Sequence, residues 1–83
     1  QVPQPNPTSA SSRVAYRVGE AGPVRIEVVD LLGRRVDLLL DGVVAPGERT
    51  IEWEIDDEVP AGLYLVRMQA AGRTWTQRVV VSR

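Results

Sequence analysis

Asp56-Asp57-Glu58 is the densest group of ionisable side chains in this 83-residue sequence. Neighbouring carboxylates can share acid–base work, and they can hold hard cations. This cluster lacks the alternating ligand spacing and central glycine of an EF-hand loop, and it reads as a solvated loop. Ser and Thr offer hydroxyl nucleophiles, yet the chain has no His, no Lys and no Cys to activate them. The same absences remove the usual transition-metal ligands and any disulfide. No catalytic residue, metal site or cofactor is assigned, and the chain reads as a non-enzyme. An aromatic platform for sugar would have to come from Tyr16, Trp53, Tyr64 and Trp75. Alternation places the first three inward. Trp53 and Trp75 are read as the large anchors of the core, although alternation leaves the face of Trp75 open. A carbohydrate-binding or adhesion role for an accessory module would rest on Trp75.

Charge narrows the partners. Net charge is −1 and the sequence pI about 5.3, so no basic footprint for nucleic acid or anionic lipid is present. The apolar runs Leu38–Leu40 and Val79–Val81 are far too short to span a bilayer. No basic start followed by a hydrophobic run is present, so any export signal is expected upstream. All ten basic residues are arginine, as heat adaptation or a GC-rich genome would give.

The elements that carry these residues are strands. QVPQPNPTS, with prolines at 3, 5 and 7, reads as an extended linker over residues 1–9, arriving from an upstream domain. Residues 10–83 then form one domain. Val14, Tyr16 and Val18 alternate with Arg13, Ala15 and Arg17; Val24, Ile26 and Val28 alternate with Arg25 and Glu27. A third strand spans residues 34–40, its register blurred by Leu38–Leu40. Ile51, Trp53 and Ile55 alternate with Glu52 and Glu54, an acidic stripe expected to face Arg17, Arg25 or Arg67. Residues 63–70 and 74–82 supply the last two strands. Turns are expected at 19–23, at 42–48, at 57–62 and at 71–73. Six to seven short strands with Gly/Pro turns predict an all-β, immunoglobulin-like antiparallel β-sandwich. In DLLGRRV, from Asp30 to Val36, Gly33 is the pivot of a tight hairpin turn that Asp30 can brace. One of Leu31 and Leu32 is expected to fold under it and plug the open end of the sandwich.

The order PNP, VRIEVVDLLGRRV, PGE-x-TIEW, AGLYLVRM and a terminal RVVV is similar to a known family. From Pro5 to Arg83 the chain resembles the C-terminal sorting domains of the type IX secretion system, type A. It also resembles the related immunoglobulin-like domain of the flagellar hook-capping protein. The resemblance implies a domain that routes an upstream passenger, possibly a secreted enzyme, through the periplasm and the outer-membrane translocon of Bacteroidetes-type, Gram-negative bacteria to the cell surface. It implies a sortase that cleaves near Gln1–Asn6 and anchors the passenger to surface lipopolysaccharide. The residues that match the family's motifs are Pro5, Asn6, Pro7, Gly33, Gly62, Tyr64, Arg78 and Arg83. Arg stands at terminal basic positions where the family often has Lys, and Thr8 where it often has an aromatic residue. Arg78 and Arg83 serve equally as gatekeepers against edge-to-edge aggregation. The last strand, left at an edge, would offer unpaired backbone groups to a translocon partner.

Overall fold

The structure, a computed structural model, describes residues 10–82. Each alternating segment of the sequence becomes a strand, because one apolar face per strand can be buried only against another sheet. The strands are β1 (Ala10–Val18), β2 (Gly22–Val29), β3 (Arg35–Val44), β4 (Gly47–Ile55), β5 (Gly62–Ala70) and β6 (Arg73–Val81). Six strands form two antiparallel layers: a two-stranded sheet β1-β4 and a four-stranded sheet in the order β3-β2-β5-β6. The fold is therefore all-β and consistent with a β-sandwich.

The core is a single cluster between the layers. It joins Val14 and Val18 to Val24, Ile26 and Val28, and adds Trp53, Ile55, Tyr64, Val66, Val79 and Val81. Trp53 is completely buried; its Nε1 donates to Asp37 Oδ2 at 3.1 Å, and its ring meets that of Tyr64 edge-on at 5.8 Å. A buried indole needs that acceptor, since an unpaired N–H would cost about 1–3 kcal/mol. The Tyr64 hydroxyl donates to the Pro60 carbonyl at 2.6 Å, much as in the tyrosine corner of immunoglobulin-type sandwiches.

Leu38–Leu40 is resolved by bulging. Ile26 pairs with Leu40 but Glu27 with Leu38, leaving Leu39 extra; Val28 pairs with Asp37 but Val29 with Arg35, leaving Val36 extra. Each unpaired residue re-aims the strand, so that Leu39 and Leu40 both pack on the core while Leu38 is left on the surface. The expected turn at 42–48 shrinks to Ala45-Pro46. Ladder partners on both sides, Gly22 opposite Val44 and Val18 opposite Gly47, extend the strands through it. Ala71 and Gly72 close the β5–β6 hairpin with φ of 52° and 74°, the double positive φ that a type I′ turn requires.

Two expectations are corrected, and a third is narrowed to the first of its alternatives. Trp75 is not a core anchor: it lies on the inner side opposite Met68 but remains 45% exposed, because the two-stranded layer does not roof β6 to its rim. Neither Leu31 nor Leu32 plugs the sandwich; they are 64% and 77% exposed. The turn is closed too tightly to tuck either one beneath, and Val59 packs against the core at that end instead. The acidic stripe of β4 faces β1 alone: Glu52 stands opposite Arg13 and Glu48 opposite Arg17, whereas Arg25 and Arg67 belong to the other sheet.

Candidate functional site

Antiparallel pairing fixes which ends of the strands lie together. Val29 pairs with both Arg35 and Leu65, Leu65 with Arg78, and Gly62 with Val81. The turn 30–34, the start of β5 and the end of β6 therefore share one pole of the molecule. The β4–β5 loop lies there too, since Asp30 and Arg34 line a recess with Glu58, Val59, Pro60, Ala61 and Gly62. Ala10 pairs with Ile55 directly before that loop, so β1 also begins at this pole. The opposite pole holds the connections 19–21, 45–46 and 71–72.

Asp30 organises the turn. Its Oδ1 accepts from the amides of Leu32 and Arg34 at 2.9 Å each, and its Oδ2 from Arg34 Nε at 2.8 Å. Main-chain bonds from Asp30 N to Arg34 O and from Gly33 N to Asp30 O close the loop. The backbone amide of Arg34 is the chief reason that the Asp30 carboxyl is held below its ordinary pKa. Gly33 has φ of 84°, which a glycine adopts without penalty. The result is a rigid turn that presents two leucines to solvent.

Sequence reasoning missed a second constellation. Glu27 is only 3% exposed, on the outer side of the four-stranded sheet. Its Oε2 accepts from Arg67 Nε at 2.9 Å and Nη2 at 2.7 Å, and its Oε1 from Arg35 Nε at 3.0 Å. The hydrogen bonds from Arg67, ahead of those from Arg35, hold the Glu27 carboxyl below its ordinary pKa despite the opposing effect of burial. The available signal was a lone Glu within the apolar run VRIEVV, opposite a lone Arg within LYLVRM. No cluster of three or more His, Cys, Asp or Glu able to hold a metal ion occurs among the described residues.

The positions that match the family's motifs fall out as follows. Gly33, Gly62 and Tyr64 lie at the one pole, and Arg78 lies on β6 three pairs from its end. Gly62 has φ of 153°, a value that suits glycine. Tyr64 is buried, tied to Pro60, and so shapes the loop from within. Pro5, Asn6, Pro7 and Arg83 lie outside the described residues. Trp75 stands away from this pole, above an open groove of about 460 Å³ between β1 and β6, whose lining includes Tyr16 and Met68.

The family model described as the secretion system C-terminal sorting domain matches residues 4–82. The chain belongs to this family. No curated protein and no solved structure matches it. As a sorting domain of type IX secretion it acts with the secretion machinery and an upstream passenger, on a route through the outer membrane to the cell surface or beyond. Such domains are in general non-catalytic. No helix among the described residues of the sorting domain is long and apolar enough to cross a membrane.

Proposed function

We propose that this chain is a non-catalytic sorting and anchoring domain, read as a folded β-sandwich by the outer-membrane translocon. Residues 1–9 serve as the linker from the passenger, and residues 10–83 as the recognised domain. The observation that carries the reading is the family match over residues 4–82, joined to the gathering of Gly33, Gly62 and Tyr64 at the pole where β6 ends. At that pole Gly33 and Asp30 hold the turn, and Tyr64 holds the loop before Gly62. Arg78, with Pro5, Asn6, Pro7 and Arg83, completes the recognition set. A sortase then cuts within the linker and transfers the passenger to the surface.

The test is a periplasm-directed reporter fused ahead of residues 1–83 in a bacterium with type IX secretion. The reporter should reach the surface or medium, and should stay in the periplasm when residues 1–83 are removed. Equal export with and without the domain would defeat the reading. Trimming Val79–Arg83 is a poorer test, since Val79 and Val81 are core residues and the truncated domain would unfold.

A further inference from the structure

Among the described residues, β1 pairs only with β4, and β6 only with β5. Each therefore has a row of backbone N–H and C=O groups without a ladder partner, and the two rows border the same groove. Val14 to Arg17 form one wall and Trp75 to Gln77 the other, while Ile26, Val66 and Met68 form the floor. Residues from both faces of β1 line it, so the groove is a seam running along strand edges. Trp75 overhangs it, half-exposed.

The two strands that border this seam carry charge of one sign, and Arg17 among their arginines lines the groove itself. β1 carries Arg13 and Arg17, β6 carries Arg73 and Arg78, and neither has a single carboxylate, although the whole chain has a net charge of −1. Arg17 meets Glu48 at 3.8 Å, an exposed and weak contact. No ion pair engages Arg13, Arg73 or Arg78 among the described residues, even though Glu52 stands opposite Arg13. Free strand edges are satisfied by another backbone, an apolar floor by alternate side chains, and a basic rim by acids. A second copy of this chain would set arginine against arginine.

We propose that the β1–β6 seam is a docking site for an extended segment of a partner protein in which apolar and acidic residues alternate. The apolar side chains enter the groove beside Trp75, the acidic ones turn to the outer face of the sheet, where Arg78 stands in the same row as exposed Val80, and the segment's backbone extends the β6 ladder. Assigning that partner to the secretion machinery rests on the function proposed above; the strand-accepting chemistry of the seam does not.

The experiment uses the whole 83-residue chain and a peptide alternating valine with glutamate, matched to the nine residues of β6. The expected result is binding that shifts Trp75 fluorescence, protects β6 amides from hydrogen exchange and weakens as salt rises from about 0.05 to about 0.5 M. Arg78→Glu, shown by thermal melting to be folded, should lower affinity by at least about tenfold. A valine–lysine peptide should not bind. Absence of binding, equal binding of both peptides, or protection confined to β3 would overturn the proposal. Normal passenger export without peptide binding sinks the seam and spares the sorting function. Peptide binding by a chain that exports nothing does the reverse.

Discussion

Asp30 and Glu27 are both carboxylates held by arginine, yet they do different work. Asp30 sits at the surface and spends its oxygens on the backbone of its own turn, so its effect is local: it fixes where Leu31 and Leu32 point. Glu27 is buried and joins three strands of one sheet, since Arg35 lies on β3 and Arg67 on β5. Removing its charge strands two guanidinium groups. We expect Glu27→Gln to lower stability at pH 7 by about 1–3 kcal/mol, read from urea unfolding. The sign with pH follows from linkage. The folded-state pKa of Glu27 is lowered from the ordinary 4.5, so its contribution is fully present above that value. It is lost as pH falls through the lowered folded-state value. The gap between wild type and Glu27→Gln should therefore shrink on acidification, and a gap unchanged down to pH about 2 would contradict the pairing.

The closing strand β6 shows how one element serves two demands. Alternation gives it a buried row, Val79 at 8% and Val81 at 3% exposure, and a solvent row in which Val80 is 68% exposed. Val79→Ala should cost about 2 kcal/mol in urea unfolding, by lost burial plus the residual cavity, while Val80→Ala should change stability by less than about 0.5 kcal/mol. Similar costs at both positions would mean that β6 is paired or rotated differently from the register with Gly62–Ala70. The same alternation, on an edge strand, leaves half of its residues and one row of backbone groups available to a partner.

The connectivity of the sandwich is non-local. β1 and β4 make up one entire layer, with Ala10 opposite Ile55, and they cannot pair until most of the chain has been gathered. β2, β3, β5 and β6 can assemble through two hairpins first. Closing long loops before their contacts form slows folding, so refolding should take milliseconds to seconds, as in other sandwiches of this size. Stopped-flow fluorescence of Trp53, which is buried only once β4 has docked, reads this step directly. Complete burial of that ring within microseconds would show that β4 finds its place ahead of β1.

Alternation along the chain was enough to determine the strands, the inward residues of β1, β2, β4 and β5, the Gly33 pivot and the absence of helix. Those properties are local: a period of two and a positive φ are written in consecutive residues. The sequence order of motifs also determined the family. Which strands become neighbours was decided only in three dimensions, because period two says which face is apolar and nothing about the partner across the ladder. That choice gave β4 to β1 rather than to strands bearing Arg25 and Arg67. It buried Glu27 between two arginines from distant strands, left Trp75 at an unroofed rim, and sent Leu31 and Leu32 into solvent. Burial of any one of these side chains depends on neighbours that are remote in sequence, and a two-stranded layer laid over four leaves a seam that no single strand could announce.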